Sequence, residues 1–81
     1  IDGFDKQENN FVIYPNPTSN QLFLESKIQE DQEFSIVNLL GEKISYGKLN
    51  EQIETIDISS LPPNVYIIRI GNESIKFIKT E

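Results

Sequence analysis

From Phe11 onward, apolar residues recur at every second position in short runs, and each run ends in a cluster of turn-forming residues. FVIY (11–14), QLFLE (21–25), QEFSIVN (32–38), KISYGKLN (43–50), QIETIDI (52–58), VYIIRI (65–70) and IKFIKT (75–80) all share this period near two. Side chains alternate across a strand, so the spacing sets one apolar face against a core, whereas a helix needs a period of 3.6. Seven such segments without an amphipathic helix predict an all-β, seven-stranded antiparallel Ig-like β-sandwich. Its core is expected to hold Leu22, Leu24, Phe34, Ile36, Tyr66, Ile68 and Phe77. KISYGKLN and QIETIDI read as a pair, with Gly47 a candidate bulge.

The clusters between the runs set the corners. In YPNP (14–17) each proline lacks a backbone donor and steers the residue before it toward extended geometry, so the first strand ends stiffly. PTSN (17–20) is turn chemistry, with Pro17 preset for the second position of a type I turn and Asn16 able to bond forward to nearby backbone. Gly41 in LLGE stands where a left-handed turn residue is needed, and SSLPP (59–63) adds a helical turn. Asn72-Glu73-Ser74 has the form of a glycosylation sequon and is read as turn chemistry. A two-residue loop at Gly71-Asn72 or Asn72-Glu73 gives one facing: Tyr66, Ile68 and Ile70 join Ile75 and Phe77 toward the core. Val65, Ile67, Arg69, Lys76, Ile78 and Thr80 then share an outer face that is half apolar and basic, where a solvated face is normally polar throughout. Lys79 falls on the core side, so its stem must snorkel past the edge.

Composition narrows the chemistry. A chain of 81 residues, 37% hydrophobic, is a single small domain. It has no His, Cys, Trp or Met. Zinc and transition metals thus lose their usual ligands, Cys and Ser–His nucleophiles are excluded, and no cofactor is expected. Glu54 and Asp57 lack the D-x-D-x-D-G context of a calcium loop. A net charge of −6 argues against nucleic acid as a partner, and no apolar run approaches the ~20 residues of a membrane-inserting helix. The polar stretch 1–10 reads as a linker from an upstream cargo domain, with the folded domain at 11–81. A chain without methionine is expected to be a piece of a longer protein, its targeting segment upstream. An enzyme is disfavoured by size and by the missing nucleophile–base pairs. A carbohydrate-binding or adhesive module is the alternative, but it needs exposed aromatic platforms, and the aromatics here sit mostly at core-directed positions.

Four segments in fixed order, YPNPTSNQLFLE (14–25), FSIVNLLGEKI (34–44), IDISSLPPNVYIIRI (56–70) and SIKFIKT (74–80), resemble the C-terminal sorting domain of the type IX secretion system of Gram-negative bacteria. The family pattern falls on Pro15, Asn16 and Pro17, on Leu39 and Gly41, on Leu61 and Tyr66, and on Lys76 and Lys79. Where the family has glycine two residues before the tyrosine, this chain has Asn64. Asparagine tolerates positive φ better than other non-glycine residues, so a left-handed turn is expected there. The resemblance implies a non-catalytic signal that directs a cargo, joined in cis, from the periplasm in transit to the cell surface or beyond. Its partners would be translocon, shuttle and sortase components at the outer membrane, and the sortase would usually remove it. With the basic outer face added, the candidate recognition residues are Pro15, Asn16, Pro17, Gly41, Asn64, Tyr66, Arg69, Lys76, Ile78 and Lys79.

Overall fold

The computed structural model describes residues 10–28 and 30–81. The expected linker over 1–10 therefore lies outside the described residues, Asn10 excepted. Seven strands form, at β1 (Phe11–Tyr14), β2 (Gln21–Ser26), β3 (Gln32–Val37), β4 (Lys43–Leu49), β5 (Ile53–Asp57), β6 (Asn64–Ile70) and β7 (Glu73–Lys79). They assemble into a three-stranded sheet, β1-β2-β5, and a four-stranded sheet, β4-β3-β6-β7, with every strand pair antiparallel. This is the two-sheet sandwich that the alternation predicts.

One expected neighbour relation is wrong. β4 and β5 do not pair: β4 lies beside β3, while β5 crosses to the other sheet and pairs with β2, Leu22 opposite Ile56. Pairing with β4 would widen one sheet and leave a two-strand ribbon facing it. Crossing instead gives the smaller sheet a third strand, whose Ile56, with Ile58 just beyond it, is buried in the interior. The crossing is secured where the Ser26 amide donates to the Gln52 carbonyl at 2.8 Å.

All seven expected core residues are buried, joined by Phe11, Leu49, Ile56, Ile58 and Ile70. Full burial of each such side chain contributes roughly 1.5–3 kcal/mol, so the two inner faces supply the main cohesion.

Glycine acts differently from expectation at one position. The irregularity in the β3–β4 ladder falls at Ile44, since Ile36 faces Ser45 and Val37 faces Lys43. Gly47 stays in register opposite Phe34, and a Cβ there would lie 2.8 Å from the Phe34 Cζ. Gly47 therefore makes room for an aromatic ring and is not a bulge. Gly41 does take the left-handed turn, with φ +86°, and its amide donates to the Asn38 carbonyl at 3.0 Å.

Asn64 is not left-handed. Among the described residues only Gly41 and Gly71 have positive φ. The corner is completed earlier, where Asp57 Oδ1 accepts from the Ser59 amide at 2.9 Å and its hydroxyl at 2.7 Å. The Leu61 amide then donates to the Ile58 carbonyl at 3.0 Å, so SSLPP contributes one hydrogen-bonded turn and no helix. By Asn64 the chain is already strand, paired with Lys79, and the Asn64 side-chain oxygen accepts from the Val65 amide at 2.8 Å.

Candidate docking surface

The YPNP segment does more than end a strand. Both X–Pro bonds within it are cis. The expected turn over residues 17–20 does not form; Thr18 instead bridges Lys79 in parallel. Asn16 does not bond locally either. Its amide nitrogen donates to the Lys76 carbonyl at 3.2 Å, and its oxygen accepts from the Ile78 amide at 3.0 Å. The Thr18 amide donates to the Ile78 carbonyl at 2.9 Å, and the Thr80 amide to the Thr18 carbonyl at 2.7 Å. A primary amide presents the same donor and acceptor as a peptide group, so the side chain of Asn16 substitutes for one strand residue along the free edge of β7. An edge strand with unpaired backbone groups invites foreign pairing, and this strap occupies them.

Lys79 lies beside the strap, bridged to Thr18. It is buried, with 6% of its surface exposed, and its ammonium donates to the Thr80 carbonyl at 2.9 Å. Its partner in the ladder, Asn64, is exposed.

Tyr66 is buried as well. Its ring stacks on Phe77 with centroids 5.7 Å apart, and its hydroxyl donates to the Pro62 carbonyl at 2.5 Å. A tyrosine at the start of this strand that bonds back to the preceding corner is a recurrent lock of Ig-like sandwiches. The Leu-Pro-Pro-Asn-Val-Tyr stretch thus serves the corner, a role that the i to i−4 spacing of Tyr66 and Pro62 could have suggested.

The β6–β7 hairpin turns at Gly71-Asn72, with Ile70 opposite Glu73 and Gly71 at φ +60°. Positive φ at the first loop residue alone is the type II′ pattern, whose twist suits a hairpin. The register sets Tyr66 against Phe77 and Ile68 against Ile75, which gives the expected facing. On the outer side Arg69 and Lys76 are exposed, Val65 and Ile67 are half-buried, and Ile78 keeps 42% of its surface in solvent. No second layer of the described residues covers this face.

The same face continues across β3 and β4. Ser35 lies between Arg69 and Tyr46, and Glu33 lies opposite Lys48. Tyr46 is 76% exposed, with the Lys43 ammonium 5.6 Å from its ring centroid. The alternation therefore missed an exposed aromatic here. On the other sheet Tyr14 packs at 5.5 Å from Phe23, and its hydroxyl donates to Glu25 at 3.3 Å. Partial desolvation, followed by the Glu25 charge and that bond, raises the Tyr14 phenol above its ordinary pKa. The Asp57 carboxyl is held below its ordinary value by the Ser59 amide and hydroxyl. It is committed to the corner, and no metal-binding cluster occurs among the described residues.

The Lys79 ammonium, the Tyr66 hydroxyl and the Asn16 amide all bond within the fold, and the four-stranded sheet turns an outward face to solvent. A family model for the secretion system C-terminal sorting domain matches residues 12–80, and the chain belongs to that family. It is a sorting domain of the type IX (Por) secretion system, a non-catalytic secretion signal that implies a secreted or cell-surface cargo and contact with secretion machinery. No curated protein sequence matches the chain.

Proposed function

We propose that the outward face of the β6–β7 hairpin, held in place by the strap, is the surface that the machinery reads. Arg69, Lys76 and Ile78 make the contact. Pro15, Asn16, Pro17, Gly41, Asn64, Tyr66 and Lys79 act indirectly, by fixing the hairpin's edge, corner and turns. The partners are translocon, shuttle and sortase components met in the periplasm, and the cargo is joined through residues 1–10. The observation that carries this reading is Ile78, 42% exposed on the outer face of β7 and one pleat repeat from the exposed Lys76.

The test is export of a periplasmic reporter fused to the domain, comparing the parent with Lys76→Glu combined with Ile78→Ser. Exposed substitutions usually change stability by less than ~0.5 kcal/mol, so the variant is expected to melt like the parent. Reduced export is expected because exposed charges govern encounter more than folding. Normal melting with parental export would remove the hairpin from the signal.

A further inference from the structure

The charge of this domain is strongly polarised. Four of the seven cations in the chain, Lys43, Lys48, Arg69 and Lys76, lie on the outer face of the four-stranded sheet, although the chain as a whole is at −6. Within that face, Glu33, Ser35, Lys43, Tyr46, Lys48 and Arg69 line a groove of 430 Å³. Lysines on an edge strand commonly serve only to block foreign pairing, and Lys43 and Lys48 of β4 could be so explained. Arg69 could not, because β6 lies inside the sheet between β3 and β7. Nor does edge protection call for a tyrosine 76% exposed among the cations.

We infer that this groove docks an acidic, extended polypeptide segment of a partner protein, with carboxylates on Lys48 and Arg69. Strand spacing sets the geometry. β4 and β6 are two strand steps apart, about 10 Å, and Lys48 is one pleat repeat along from the row of Tyr46 and Arg69, so the two cations stand roughly 12 Å apart at the backbone. Two carboxylates four residues apart in an extended segment share a face and span about that distance at ~3.3 Å per residue. A neutral or acidic sugar is the poorer occupant. The Lys43 ammonium already sits over the tyrosine ring, so the ring does not offer the bare platform on which a pyranose stacks. Glu33 lies within the groove and opposes an acidic guest, which sets a limit on affinity and a handle for testing it.

The inference rests on the reading of the domain as a signal that a protein recognises, but its test uses the purified chain and no export. The probe is a peptide of about twelve residues with four glutamates at every second position, titrated while backbone amide shifts are followed. Shifts are expected at residues 33–35, 43–48 and 69. Binding should weaken roughly tenfold for the glutamine counterpart of the peptide, and roughly tenfold for Lys48→Gln combined with Arg69→Gln, with the melting temperature unchanged. It should fall with added salt as exposed charges are screened, and Glu33→Gln should tighten it several-fold. Equal binding of the glutamine peptide would overturn the proposal. So would shifts confined to other surfaces, a response to polygalacturonate but not to the peptide, or cations engaged instead by self-association seen in sedimentation.

Discussion

Replacing Asn16 with alanine tests whether one side chain seals the last strand. The substitution deletes two hydrogen bonds, to the Lys76 carbonyl and from the Ile78 amide. Net contributions are about 0.5–1.5 kcal/mol per bond. Both bonds lie at an exposed edge where water competes for the freed groups, so the lower part of the summed range applies, about 1–2 kcal/mol. For a domain of this size each kcal/mol moves the melting temperature by about 4–8 °C, which gives a fall of roughly 4–16 °C. Urea denaturation should show a lower midpoint with an unchanged slope, since the core is untouched. Amide exchange gives the sharper readout: Ile78 should lose protection, while Phe77, paired inward with Tyr66, should keep it relative to global stability. Ser19→Ala, an exposed neighbour, is the control and should be near neutral. Equal stability of Asn16→Ala and the parent, with Ile78 still protected, would show that the amide only decorates an edge held by Thr18.

Three further outcomes follow from the same geometry. Tyr66→Phe keeps the ring stack and deletes the bond to Pro62, so urea unfolding should show a loss of about 1–2 kcal/mol; no loss would mean that the corner does not need its lock. Gly47→Ala would press a methyl against Phe34, 2.8 Å from Cζ, and should cost about 1–3 kcal/mol, measured the same way, with a neutral result placing slack beside the ring. Asn64→Val should be neutral within ~0.5 kcal/mol or slightly stabilising, since a β-branched residue suits an extended position. A loss of about 1–2 kcal/mol would instead restore left-handed geometry there.

What could be read from the sequence was what repeats locally. Period-two runs located all the strands, and alternation chose the inward faces of β2, β3, β6 and β7, because a slip of one residue would turn every side chain outward. The GNES cluster placed the last hairpin and its facing, while the choice between Gly71-Asn72 and Asn72-Glu73 needed the structure. Failures arose where structure depends on distant partners or on one of several competing local signals. Nothing near β4 shows that β5 must cross to β2. At the β5–β6 corner the glycine-to-asparagine exchange drew attention to Asn64, but Asp57 and Ser59 close the turn five residues earlier. Asn16 looked like a local turn former because its true partners are about sixty residues further along the chain. The outer face was legible as half apolar and basic on β6–β7. Its extension across β3 to Tyr46 required the strand order, which no local pattern supplies.

The parallel course of the strap beside β7 has a mechanical consequence. Tension applied between the two ends of the domain draws residues 15–18 toward their N-terminal side and β7 toward its C-terminal side. The two segments run in the same direction, so that load slides them past one another instead of peeling them apart. The bonds of Asn16 to Lys76 and Ile78, of Thr18 to Ile78 and of Thr80 to Thr18 then stretch in concert. Hairpins pulled open from one end give way one bond at a time, at low force. Shear makes several bonds break together, and resistance to pulling is governed by that unfolding barrier and not by the equilibrium stability. A cargo hauled by this domain therefore loads this seam in shear.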